Sequence, residues 1–238
     1  MLAEKTKVKA EVREPYRTPQ RDGYRAKDLT MSFYEGTCFG TTAALLMFFA
    51  VMGLTYLLRG GAFIRNMPLQ LTKIEIYHAL RIIEATGWPT MTAGILSSLL
   101  CLTLVVLAMI MLCLLHEATH RNTWALWLTK EERKKHLSIG FKKFTPYACC
   151  TKDLTVPAAF WGAVTPMLFT GILPTAIGLI IGDPLFTMYG ALGFSAGGSD
   201  ILTAFRLIPY LRKKDCIASD SNERLGCVVY TPVSKPQE

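Results

Sequence analysis

Charge is what this sequence is short of. Asp, Glu, Lys and Arg make up 18% of the 238 residues and apolar residues 51%, a balance that argues against a simple soluble domain. Paired cysteines are missing too: the seven cysteines are an odd number without the spacing of a disulfide framework, so free thiols in a reducing compartment are expected. Cys149 and Cys150 are adjacent, and neighbouring cysteines chelate a metal poorly. The N-terminus has no short apolar core with a cleavage site, which speaks against a signal peptide. Internal repeats, low-complexity tracts and nucleic-acid motifs are likewise absent, so the net charge of +8 is not read as a nucleic-acid surface.

What the chain has is long runs without charge. Residues 37–58, 87–115 and 156–182 hold no charged side chain, and 184–205 holds only Asp200. A bilayer core needs about 20 apolar residues in a helix. The expected architecture is therefore an all-α membrane protein: a polar tail (1–36), a membrane domain of four spans (37–210) and a C-terminal tail (211–238). Lys and Arg number 8 before the first run, 4 between the first two, 8 in 116–155, none at Asp183 and 6 at the C-terminal end, or 22 against 4 in alternate segments. The positive-inside rule puts both tails and the 116–155 segment in the cytosol. The setting expected is a multi-pass bacterial cell membrane, with the lipid bilayer and no nucleic acid as partner.

Between the runs, residues 1–36 read as a mobile or surface-lying tail. Thr72 and Glu75 have capping-box spacing. The residues that follow put Ile76, Ala79, Leu80 and Ile83 on one helical face, with Lys73, His78, Arg81 and Glu84 largely on the other, which predicts an amphipathic helix on the outer membrane surface. Thr129 and Glu132 predict a second capped helix ending at His136. Pro166 and Pro174 open kinks in the third run, read first as packing kinks and second as a wet route inward. "FKKFTPYACC" and "GCVVY" are rich in aromatic and β-branched residues and predict a small cytosolic strand pair, on whose edge a peptide can be added as a further strand.

The second run ends in "HEATH". Residues four apart share a helical face, so His116 and His120 can turn ring nitrogens to one metal ion, and Glu117 is placed to act as a base there. That is the mechanical content of the H-E-x-x-H pattern of zinc hydrolases. Catalytic zinc usually takes a third protein ligand. Asp200 is the candidate, because an ionisable group inside a span is by default functional. His116 lies five residues before Arg121 and Asp200 six before Arg206, depths of about 8 and 9 Å from the same boundary at 1.5 Å per residue. The small residues Ala196, Gly197, Gly198 and Ser199 before it allow close helix approach or local unwinding.

"HEATH", "IGFKKFTPYACC", "GAVTPMLFTGILP", "GGSDILTAFRLI" and "GCVVY" occur in that order across roughly residues 87–231. In this the chain resembles the bacterial membrane family called putative zincin peptidases, itself similar to the site-2 intramembrane zinc proteases. The resemblance implies zinc, with His116 and His120 as ligands, Asp200 as third ligand, Glu117 as base, and a membrane protein or peptide as substrate. Site-2 proteases typically set their aspartate in Asn-Pro-x-Asp-Gly, whereas this chain has Gly-Ser-Asp-Ile. The rival readings are a non-catalytic metal-binding membrane protein, structural or regulatory; a diiron hydroxylase, disfavoured by only four histidines; and a proton-coupled carrier using Asp200, which leaves the histidines unexplained.

Overall fold

The computed structural model describes residues 20–142, 145–220 and 224–233. Residues 1–19, and with them most of the expected mobile tail, lie outside that description. Ser32 starts helix α1 (Phe33–Thr86) through a capping box: its hydroxyl accepts from Glu35 N, and the Glu35 carboxylate accepts from Ser32 N. At Gly60 the backbone takes φ 78°, ψ 171° and interrupts the helix, a conformation open to glycine and few other residues. Beside this break the Arg59 guanidinium donates to the carbonyls of Leu179 and Ile180. Past Gly60 the helix resumes and ends at Gly87, left-handed at φ 66°.

Helix α2 (Thr90–Ala125) folds back against this second part of α1. Ser97 Oγ donates to the Glu75 carbonyl at 2.5 Å and Ser98 Oγ to the Glu75 carboxylate. The separate amphipathic helix expected from Thr72 is thereby corrected. The helix runs on through Pro68 to Thr72, whose hydroxyl donates to the Pro68 carbonyl within the helix. Ile76 and Leu80 face outward while Glu75 and His78 are half-buried.

Helix α3 (Lys130–His136) has the expected cap from Thr129 and Glu132. Lys152 and the Thr129 amide hold the Glu132 carboxyl down at about 2. Strands β2 (Leu137–Lys142) and β3 (Thr145–Cys150) form a hairpin, and β4 (Leu154–Thr155) leads into α4 (Val156–Pro166). After Pro166 the helix widens into a π-helical stretch, Met167–Ile172, and continues as α5 (Leu173–Ile181). The fourth expected span is instead two helices, α6 (Pro184–Ala196) and α7 (Gly198–Leu207), of 13 and 10 residues, parted at Gly197. Among the described residues, three helices are long and apolar enough to cross a bilayer: Tyr34–Thr86, Thr90–Ala125 and Val156–Ile181.

The described parts of both tails form strands. Strands β1 (Tyr24–Asp28), β5 (Ile217–Asp220) and β6 (Cys227–Pro232) join β4 in an antiparallel sheet of order β1-β6-β5-β4. The expected pairing of these two stretches is thereby corrected: the strand of "GCVVY" pairs with β1 and β5, while β3 pairs with β2. The main apolar core lies under the larger sheet, where Leu29, Val156, Leu207, Cys216, Ala218 and Val229 pack together. All seven cysteines are free.

Between the helices, packing is by small residues. A methyl group added to Gly193 would lie 1.9 Å from the Thr170 carbonyl oxygen, and one on Gly198 would lie 2.3 Å from that of Gly40. Such contacts let α6 and α7 lie directly on the π-helical stretch and on α1. Gly193→Ala should therefore cost about 1–3 kcal/mol by overpacking. Gly94→Ala, with open space around it, should be neutral or slightly stabilising. Thermal unfolding of both variants in detergent checks this.

Candidate metal centre

The site is assembled by three elements. His116 and His120 lie one turn apart near the end of α2, both buried, with ring centroids 5.0 Å apart. Asp200 lies in the first turn of α7, where the positive end of a helix favours a carboxylate. The break at Gly197 brings it there: a methyl on Gly197 would strike Met167, as one on Gly198 would strike α1. His116 Nε2 is 3.0 Å and His120 Nε2 3.4 Å from Asp200 Oδ2. The ligand atoms of the three residues all lie within 4.8 Å of one another. No other such group of three converges among the described residues. His78 lies in α1, and His136 bonds Thr151 at 2.9 Å.

The outer nitrogens decide what the inner ones offer. His120 Nδ1 is 2.8 Å from the Gly162 carbonyl, which can only accept, so Nδ1 carries the proton. His116 Nδ1 is 3.3 Å from Thr170 Oγ1. That hydroxyl donates to the Pro166 carbonyl at 2.8 Å and so accepts from the imidazole. Each Nε2 then faces Asp200 Oδ2, where a bound metal would displace the Nε2 proton and take the lone pair. Three electron-pair donors facing one point is the donor set of a metal ion such as zinc, and outer hydrogen bonds of this kind fix the tautomer and orientation of ligating histidines. The residues present thus fit a bound metal.

Sequence reasoning did not find these supports. Thr170 owes its place to the π-helical stretch behind Pro166, which no local pattern announces. Trp124 stacks on His120 at 5.6 Å and 29°; its spacing, four residues on, was the available signal. Its indole packs where a side chain on Gly162 would be, so Gly162 serves both ring and tautomer. Glu117 is half-buried, and its Oε2 accepts from Ala148 N of β3 at 2.6 Å.

A cavity of about 980 Å³ joins the four residues His116, Glu117, His120 and Asp200 to β3 and the larger sheet. Cys149, Cys150 and Cys227 line it as well. Burial raises all three thiols, Cys227 to about 12, so none supplies a thiolate at neutral pH.

Thr170→Val keeps the shape and removes the oxygen. Zinc affinity should fall about 10- to 100-fold, the usual cost of losing an outer-shell partner, while Thr170→Ser should stay near the wild type. Titration of zinc into chelator-treated protein measures both.

Comparisons place part of the chain. No curated protein and no solved structure matches it. Residues 109–214, which hold His116, Glu117, His120 and Asp200 together, match the family model described as "Putative zincin peptidase".

Proposed function

We propose that the chain is a membrane-embedded zinc metallopeptidase that hydrolyses peptide bonds in or next to a membrane segment. The observation carrying this reading is the convergence of two Nε2 atoms and one carboxylate beside a glutamate that follows the first histidine. In this reading His116, His120 and Asp200 hold zinc, and Glu117 is the general base. Zinc, when bound, supplies Lewis acidity toward a carbonyl and toward water. Glu117 accepts the proton of the attacking water and returns it to the departing amine nitrogen. Trp124 and Thr170 keep the imidazoles oriented, and the cavity gives an extended peptide room beside β3. Family likeness and the three long apolar helices support the same reading, and it keeps the kinship to site-2 proteases drawn from the sequence.

Glu117→Gln keeps the volume but takes no proton. Metal content should stay near one zinc per chain while hydrolysis of a labelled membrane-protein substrate falls about 100-fold or more. Hydrolysis that survives the change would leave a non-catalytic metal protein as the better account. Asp200→Asn should lower both zinc content and activity, because a neutral amide is a poorer zinc ligand.

The charge asymmetry supports an arrangement with both termini and residues 116–155 in the cytosol of a bacterial cell. An impermeant maleimide added to intact cells should label Thr86→Cys and spare Lys134→Cys and Lys213→Cys, all exposed positions. The opposite pattern would put the metal centre nearer the outer face.

A further inference from the structure

The contact that the peptidase chemistry leaves unexplained is the one between Glu117 and strand β3. In the hairpin, Thr151 N donates to His136 O, and the register pairs Cys149 with Ser138 and Ala148 with Ile139. Hydrogen-bonded and non-hydrogen-bonded pairs alternate along an antiparallel ladder. Cys149 and Ser138 therefore bond each other, while the N–H and C=O of Ala148 point away from β2. That N–H would be the unpaired donor of an edge strand. It donates instead to Glu117 Oε2 at 2.6 Å, 31 residues back in the chain, and both residues line the cavity.

We propose that the Ala148 backbone amide is the positioning group for Glu117, so that the β2–β3 hairpin is a working part of the catalytic centre. This rests on the reading of Glu117 as base. A glutamate has three side-chain torsions, and on an open helix face its carboxylate samples many orientations. The amide holds one oxygen, Oε2, and leaves Oε1 to face the reacting water. A charge-assisted bond from a backbone donor is short and directional, and a strand whose other edge is tied into a hairpin moves little. The hairpin therefore sets where the proton is taken, and any displacement of β3 moves the base with it.

The test uses the full chain in detergent, loaded with zinc, with a fluorescein-labelled single-span membrane protein as substrate. Ala148→Pro deletes the N–H at a position where no ladder bond is lost. Turnover should fall about ten-fold with KM, zinc content and melting temperature unchanged, and Ala148→Gly, which keeps the N–H, should recover it. Unchanged turnover in the proline variant overturns the proposal. If the proline variant does not fold, hydrogen exchange decides: Glu117→Ala should speed exchange of the Ala148 amide at least ten-fold relative to the parent chain, and unchanged exchange overturns the proposal. Exchange is read without turnover, so its failure sinks this inference alone. A chain that cleaves nothing sinks the peptidase reading instead.

Discussion

Two imidazoles and a carboxylate that converge on one point form the constraint on which the rest of the structure turns. His116 Nε2 donates to Asp200 Oδ2 at 3.0 Å and His120 Nε2 lies 3.4 Å from the same oxygen. Taking a carboxylate and two imidazoles out of water is costly by itself. The arrangement persists because each ring is held from behind, His120 by the Gly162 carbonyl and His116 by Thr170. A shared cation would offset in one step what the three groups cost apart.

Bringing those groups together requires helices that touch at their backbones. Gly193 against Thr170, Gly198 against Gly40 and Gly197 against Met167 each leave no room for a β-carbon. The π-helical stretch and the break at Gly197 serve the same end: one turns Thr170 toward His116, the other carries Asp200 under both histidines. Departures from regular helix at functional sites are a recurring pattern. The apolar bulk lies elsewhere, on the outside: the most hydropathic stretch of α2 is only 6% buried, as expected where lipid rather than protein supplies the apolar surroundings.

The tail segments show a second division of labour. Strands β1, β5 and β6, drawn from opposite ends of the chain, close a sheet over the ends of α4 and α7, and Arg206 donates to the Leu29 carbonyl at 2.9 Å. The helix carrying Asp200 is thereby fastened just beyond its functional turn. The β2–β3 hairpin does the corresponding service for α2, through Ala148 and Glu117.

Sequence alone determined three of the four expected apolar helices, the cap at Thr129, the pairing of His116 with His120 and the candidacy of Asp200. Each of these rests on short-range periodicity, on a local hydrogen bond or on the cost of charge in an apolar run, all of which act within a few residues. Only the tertiary structure decided that 184–205 divides at Gly197, that residues 61–86 fold back along α2 rather than starting afresh at Thr72, and that "GCVVY" pairs with β1. Thr170, Gly162 and Ala148 also became legible only there, because a backbone carbonyl, a hydroxyl and an amide gain their roles from what is packed against them, 31 to 54 residues away in the chain.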